Sequence, residues 1–142
     1  MIALVQKTLT QASQRRAIYS DDRTLPILVV DDNDELRDST TLVLRMEGYR
    51  VVTAYNGLVA LDTVSRADYC LILLDIAMPV MNGYEFLKAY QQQLRPHTPV
   101  ILVSAERDIL THVLPLFVVE VLPKPFSIHQ LLGLVGMYAQ PV

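Results

Sequence analysis

Two short apolar runs in this chain each end at aspartate. The run Leu25–Val30 leads into Asp31 and Asp32. The run Leu71–Leu74 leads into Asp75. Apolar runs of this length, bounded by polar residues, are typical of strands that are buried on both faces. Ligands of open α/β sheets bind at the carboxyl ends of the strands. If the two strands are neighbours, three carboxylates meet in one crevice and need a cation or a proton to offset their repulsion.

The composition indicates one globular domain. Of the 142 residues, 51% are hydrophobic and 19% are charged. The formal net charge is −3 and no run of Lys or Arg stands out, which argues against direct binding of nucleic acid. The longest apolar stretch, residues 113–122, is broken by Pro115 and Glu120 and is too short to span a bilayer. The one cysteine, Cys70, cannot form an internal disulfide. We therefore expect a cytoplasmic protein without a membrane partner.

From Leu25 onward the chain alternates between strand and helix patterns. The predicted strands cover residues 25–30, 50–54, 69–74, 99–103 and 118–122. The predicted helices cover residues 34–47, 57–66, 84–94, 106–114 and 127–138. Gly48 is expected to end the first helix, and Ser127 to cap the last one. This alternation predicts an α/β fold with a doubly wound parallel sheet and right-handed crossovers. Residues 1–24 carry only a weak helical stripe of Ile2, Val5, Leu9 and Ala12, and they are predicted to be a flexible extension ahead of one domain, residues 25–142.

Polar side chains follow strands one, three, four and five. Besides the aspartates, Ser104 follows the fourth strand, and Lys124 and Pro125 follow the fifth. In a flavodoxin-like strand order, 2-1-3-4-5, these four strand ends face one crevice. Carboxylate oxygens suit Mg²⁺, a lysine can pair with a phosphoryl group, and an ionised aspartate can form an acyl phosphate. Taken alone, each residue has an ordinary alternative, such as a helix cap for the aspartate pair or a turn for Ser104.

Other residues with reactive side chains fit structural roles. Cys70 precedes a predicted buried strand and is expected to be an inert, packed thiol. The histidines have no metal-ligand spacing and are expected to be exposed: His97, His112 and His129. Three tyrosines are expected to pack rather than bind a ligand: Tyr49, Tyr55 and Tyr84.

The order and spacing of several motifs resemble the receiver domain of two-component response regulators, a CheY-like fold. The resemblance covers approximately residues 26–138. The motifs that carry it are Val29–Asp32, Glu47–Tyr49, Ala54–Gly57, Leu74–Gly83, Val103–Ala105 and Lys124–Phe126.

The resemblance implies a phosphoacceptor and a magnesium site. Asp75 would accept a phosphoryl group from the phosphohistidine of a histidine kinase or a phosphotransfer protein. Asp32, the side chain of Asp75 and the main-chain carbonyl of Ala77 would bind Mg²⁺ directly. Asp31 would act through a metal-bound water. The chain would be no enzyme beyond catalysing its own phosphorylation and dephosphorylation.

The resemblance also implies residues that contact the transferred group. Ser104 would donate a hydrogen bond to a phosphoryl oxygen and move when Asp75 is modified. Lys124 would pair with the same group, and the Lys124–Pro125 peptide would be cis. The signal would then pass to a downstream protein.

The chain departs from the family pattern around its fifth strand. Val121 stands where most receivers carry Tyr or Phe, so the usual aromatic switch cannot operate in the usual way. Pro115 would shorten the fourth predicted helix. The surface of the fourth helix, fifth strand and fifth helix is unusually apolar, which predicts a partner or homodimer surface. Its apolar residues, some of which belong to the core, are Ile109, Leu110, Val113, Leu116, Phe117, Leu131, Leu132, Leu134, Val135 and Met137.

Two other functions stay open at this point. A pseudo-receiver would use the same fold as a constitutive protein-interaction module; Val121 favours this reading, and the intact aspartates and Lys124 argue against it. An aspartyl-phosphate phosphohydrolase or a nucleotide-binding protein would be a true enzyme, but the sequence has no glycine-rich phosphate loop. A stand-alone receiver and the receiver portion of a longer protein are both compatible with the pattern.

Overall fold

Five parallel strands form one sheet with helices on both faces. The computed structural model of the chain describes residues 25–105 and 113–139. The strands are β1 (Ile27–Val30), β2 (Val51–Ala54), β3 (Leu71–Asp75), β4 (Val100–Ser104) and β5 (Val118–Pro123). The helices of the described residues are α1 (Asp34–Met46), α2 (Gly57–Arg66), α3 (Gly83–Gln91) and α4 (Ile128–Tyr138). The strand order is β2-β1-β3-β4-β5, and all neighbours are parallel. The predicted fold class and strand order are confirmed.

Four predictions fall wholly or partly on residues that are not described. The N-terminal extension, residues 1–24, lies outside the described residues, as do Ile109 and Leu110 of the predicted apolar surface and His112, whose exposure the sequence predicts. Of the helix predicted over residues 106–114, only Val113 and Leu114 are described, and neither is helical. Within residues 25–105 and 113–139, no helix is long and apolar enough to cross a membrane.

The three central strands are buried on both faces because their side chains are apolar on both faces. Every residue of β1, β3 and β4 is buried, whereas the edge strands β2 and β5 are partly exposed. Successive side chains point to opposite faces, which produces two cores. Phe86 is fully buried in the core beneath α2 and α3. Leu44 and Val135 are fully buried in the core beneath α1 and α4. Polar groups can therefore approach the central strands only at their ends.

Gly48 ends α1 and Ser127 begins α4, as the sequence predicts, whereas the helix predicted over residues 84–94 spans Gly83–Gln91. Gly48 has a φ of 92°, which glycine adopts without strain. Its N–H and that of Tyr49 donate to carbonyls of the last turn of α1, at 3.0 and 3.1 Å. Ser127 caps α4 by accepting from the N–H of Gln130, whose side chain accepts in turn from the Ser127 N–H.

The surroundings of His97 differ from the expectation that it is exposed. Its ring stacks on Phe117 with centroids 4.6 Å apart and meets the ring of Tyr90 edge-on at 4.9 Å. His97 Nε2 is 2.9 Å from the main-chain oxygen of Tyr90, and the N–H of Thr98 donates to the Tyr90 hydroxyl at 2.8 Å. The loop after α3 therefore folds back towards the start of β5. Tyr55, expected to pack, is instead exposed. Neither arrangement follows from periodicity, because both depend on the path of a loop.

Gly83, the first residue of α3, lies so close to β3 that a side chain does not fit. A Cβ atom there would be 2.8 Å from both the main-chain oxygen of Asp75 and the Cα of Ile76. We expect Gly83→Ala to lower the free energy of unfolding by about 1–3 kcal/mol, because backbone must shift. Urea denaturation measures this change. Gly133→Ala is the matched control: its Cβ would meet nothing within 4 Å, so it should raise stability by up to about 1 kcal/mol. Similar effects of both substitutions would contradict this account.

Candidate functional site

Three carboxylates converge at the carboxyl edge of the sheet. Asp31 and Asp32 follow β1, Asp75 ends β3, and β1 pairs directly with β3. One carboxylate oxygen from each lies within 4.8 Å of those of the other two. Asp31 and Asp75 are buried, whereas Asp32 is exposed. The structure thus brings together the three aspartates that the sequence pattern pointed to.

The loop that carries Asp31 is held by neighbours on several sides. The N–H of Asn33 donates to Asp31 Oδ1 at 2.9 Å, and the N–H of Asp31 donates to the carbonyl of Ala54 at 3.1 Å. Arg37 Nη1 donates to the main-chain oxygen of Asp31 at 2.8 Å. The N-cap of α1 is Asn33, not either aspartate. The ordinary alternative, in which the aspartate pair caps this helix, is therefore wrong.

Sequence reasoning missed Asn33 and Arg37 as parts of this loop. Asparagine is a favoured N-cap residue, so its place one position before α1 was a usable signal. No comparable signal existed for Arg37, because an arginine in the first turns of a helix is ordinary. Its contact with the strand end emerges only from the way α1 packs on the sheet.

Asp75 is poised between a positive and a negative neighbour. Lys124 Nζ lies 3.4 Å from Asp75 Oδ1, and the N–H of Ala77 donates to the same carboxylate. Burial raises the pKa of Asp75, the charge of Lys124 opposes that shift, and the charge of Asp31 adds to it. The net shift is upward, so the metal-free site disfavours the charged form of Asp75.

The other predicted site residues occupy the ends of β3, β4 and β5, with one exception. Ser104 ends β4, is buried, and accepts the N–H of Lys124 at its carbonyl at 2.8 Å. The Lys124–Pro125 peptide is cis. Ala77 follows β3 and is exposed. Val121 is the exception: it lies within β5 and packs, half-buried, against the core beneath α2 and α3.

The donor atoms of the acidic cluster suit a hard divalent cation. Carboxylate oxygens are the ligands that Mg²⁺ prefers in proteins. The ammonium of Lys124 alone does not offset three carboxylates within 4.8 Å of one another. Among the described residues, the cluster contains no Cys or His, which softer metals would favour. The residues present therefore fit Mg²⁺.

The family comparison agrees with this geometry. The sequence model described as the response regulator receiver domain matches residues 27–135. The chain belongs to the response regulator receiver family. The transcriptional regulatory protein CpxR of Escherichia coli K12 is 40% identical over 109 residues, which are 75% of this chain and 46% of that protein. The DNA-binding transcriptional regulator NtrC of Bradyrhizobium is 33% identical over 112 residues, 78% of this chain and 23% of that protein. This receiver chain thus spans less than half the length of either relative.

Solved receiver structures have the same fold. The response regulator TrrA of Thermotoga maritima, in complex with Mg²⁺ and BeF, superposes with a TM-score of 0.72 at 30% identity, covering 80% of this chain and 97% of that one. The receiver domain of a sensor histidine kinase from Pseudomonas aeruginosa, with a magnesium ion in its active-site cleft, superposes with a TM-score of 0.71 at 27% identity. It covers 81% of this chain and 97% of that one. The CheY-like fold of this receiver is thereby confirmed.

The raised pKa of Asp75 predicts how this receiver responds to pH without metal. Above the ordinary value of 3.8 the native state holds the Asp75 proton more tightly than the unfolded chain does, so stability falls as pH rises through the raised pKa. We expect Asp75→Asn, which has a similar shape and no charge, to raise the free energy of unfolding at neutral pH in EDTA. The gain should shrink below pH 3.8. Urea denaturation at both pH values checks this expectation.

The control for this measurement is Asp38→Asn. Asp38 is exposed on α1 outside the acidic cluster, and its substitution should change stability by no more than about 0.5 kcal/mol at either pH. Destabilisation by Asp75→Asn at neutral pH would show that the Lys124 contact outweighs the cost of burying the charge.

Proposed function

We propose that this receiver takes a phosphoryl group from a histidine kinase or phosphotransfer protein onto Asp75, with Mg²⁺ bound beside it. The observation that carries the proposal is the buried Asp75 carboxylate, 3.4 Å from Lys124 and clustered with Asp31 and Asp32. We assign Asp32, Asp75 and the carbonyl of Ala77 as direct Mg²⁺ ligands, with Asp31 acting through water. A buried carboxylate between a cation site and a lysine has both the nucleophile and the charge neutralisation that phosphoryl transfer needs.

The residues divide the work of the transfer between them. An Asp75 oxygen forms a bond to phosphorus while the phosphorus–nitrogen bond to the donor histidine breaks, and its electron pair returns to the imidazole. Bound Mg²⁺ supplies neutralisation of charge on the phosphoryl oxygens. Lys124 would pair with the transferred group, and the hydroxyl of Ser104 would donate a hydrogen bond to it. The side chains of the protein position the reacting groups and neutralise negative charge on the phosphoryl group, and this is most of what the reaction requires.

Phosphorylation of Asp75 is tested by intact-protein mass spectrometry with acetyl phosphate and MgCl₂. We expect a gain of one phosphoryl group in the unmodified protein, and none with EDTA or in Asp75→Asn. Asp62→Asn, an exposed aspartate on α2, is the matched control and should keep the gain. A gain that survives in Asp75→Asn would move the phosphoacceptor elsewhere, and no gain in any sample would contradict the proposal.

The same samples separate the two alternative functions. A pseudo-receiver with a degenerate site would show no Mg²⁺ binding in a calorimetric titration. A phosphohydrolase would release phosphate continuously from a generic phosphate ester, whereas a phosphoacceptor modifies itself once. The acidic cluster and the Lys124 contact favour the phosphoacceptor over both.

We propose that output passes through the apolar surface around β5 and not through an aromatic side chain in β5. Val121 occupies the position of the usual aromatic and is already packed against the core. Val113 and Leu116, just before β5, are fully exposed, and Met137 on α4 is also exposed. Leu131 and Val135, which belong to the same predicted apolar set, are buried in the core. This agrees with the expectation that part of the set belongs to the core.

A homodimer through this surface is expected to depend on the exposed side chains. Leu116→Lys with Met137→Lys should shift the protein towards monomer in analytical ultracentrifugation after phosphorylation or BeF₃⁻ treatment, because each buries a charge at the interface. Leu94→Lys is the control, since Leu94 is equally exposed in the loop after α3. A monomer under all conditions would assign the surface to another partner.

A further inference from the structure

Arg37 links helix α1 to the strand end that carries the acidic pair. Its Nη1 donates to the main-chain oxygen of Asp31 at 2.8 Å, and its Nη2 lies 2.6 Å from Asp34 Oδ1. The Arg37 side chain is only 16% exposed, whereas that of Asp34 is 82% exposed. The guanidinium is therefore held at two points, the main chain at the end of β1 and the first residue of its own helix, and its position is not that of a freely solvated surface charge.

The oxygen that Arg37 binds belongs to the peptide between Asp31 and Asp32. That peptide is planar, and its plane contains the Cα atoms of both aspartates. A hydrogen bond to its oxygen therefore restrains the direction in which the chain leaves Asp31 and enters Asp32. The N–H of Asp31 is already fixed by Ala54 at 3.1 Å, but that bond acts on the preceding peptide. Within the part of the chain that the structure describes, the hydrogen bond from Arg37 is the one that acts on the peptide plane between Asp31 and Asp32.

We propose that Arg37 is a positioning residue for the metal site, which sets the placement of Asp32 relative to Asp31. The proposal rests on the function proposed above, in which these aspartates hold Mg²⁺. Mg²⁺ requires near-ideal octahedral geometry, so small displacements of a ligand cost affinity. Asp32 is exposed, and no side chain among the described residues contacts its carboxylate, so its main chain carries most of the restraint.

The charge of Arg37 acts against its positioning role. A guanidinium bound to the main chain of Asp31 repels an incoming divalent cation, so removing it would tighten Mg²⁺ binding if charge dominated. Removing it would weaken Mg²⁺ binding if placement dominated. The two effects have opposite signs, and a single substitution therefore separates them.

The test is a calorimetric titration with MgCl₂ of the full chain and three variants. We expect Arg37→Met to raise the Kd for Mg²⁺ by about tenfold, which corresponds to about 1.4 kcal/mol. Arg37→Lys keeps the charge but cannot hold both partners in the planar geometry of the guanidinium, so its Kd should also rise. Arg45→Met is the matched control, because Arg45 lies on the same helix and its Nη2 donates to the main-chain oxygen of Val51 at 3.2 Å, at the opposite end of the sheet. Its Kd should equal that of the unmodified protein.

A second measurement needs no metal. In EDTA, amide hydrogen exchange of residues 31–34 should be faster in both Arg37 variants and unchanged in Arg45→Met. If Arg37→Met does not fold, the exchange rates of Arg37→Lys, which is the milder substitution, still test the proposal.

Each outcome bears on one claim. Tighter Mg²⁺ binding by Arg37→Met, unmodified affinity in Arg37→Lys, or equal loss in Arg45→Met would overturn the positioning role while leaving the proposed function intact. An absence of Mg²⁺ binding by the unmodified protein would instead remove the proposed function, and this inference with it.

Discussion

Mutual repulsion of three carboxylates is the constraint around which this receiver is arranged. Asp31, Asp32 and Asp75 offer oxygens within 4.8 Å of one another, and two of these side chains are buried. A buried charge is costly unless it is paired or hydrogen-bonded. Lys124 supplies an opposite charge, and main-chain N–H groups donate to the buried carboxylates. These contacts do not cancel the effect of burial, which is the main reason that the pKa of Asp75 is raised in the absence of metal; the charge of Asp31 adds to that shift.

The packing of the sheet stabilises the fold enough to hold this unfavourable cluster of charges together. The three central strands are buried along their whole length, so polar side chains can lie next to these strands only at the strand ends. Parallel strands place their carboxyl ends at one edge, where β1 and β3 lie side by side. Close backbone packing, such as that of Gly83 against the end of β3, holds the loop beyond Asp75 in place. The energy of two apolar cores thereby stabilises an arrangement that the site alone would not maintain.

The chemistry and the reporting surface of this receiver differ in how closely they follow the family pattern. The acidic cluster, Lys124 and the buried Ser104 lie at the carboxyl edge of the sheet, the positions that the proposed phosphoacceptor function requires. Val121 in the edge strand offers no large ring to reorient, and apolar side chains before β5 are fully exposed. Exposed apolar side chains of this kind are typical of surfaces that bind another protein. Such a surface can change its contacts with a partner without the reorientation of an aromatic ring.

The sequence by itself determined the alternation of strands and helices, the strand order expected of such a fold, and the acidic residues at the strand ends. Periodicity and capping residues carry that information locally: Gly48 and Ser127 bounded their helices as predicted. Only the tertiary structure decided which of the polar side chains touch. The contact of Arg37 with the end of β1 and the stacking of His97 on Phe117 depend on how helices and loops pack across the sheet. Packing joins residues distant along the chain, and no local pattern records such contacts.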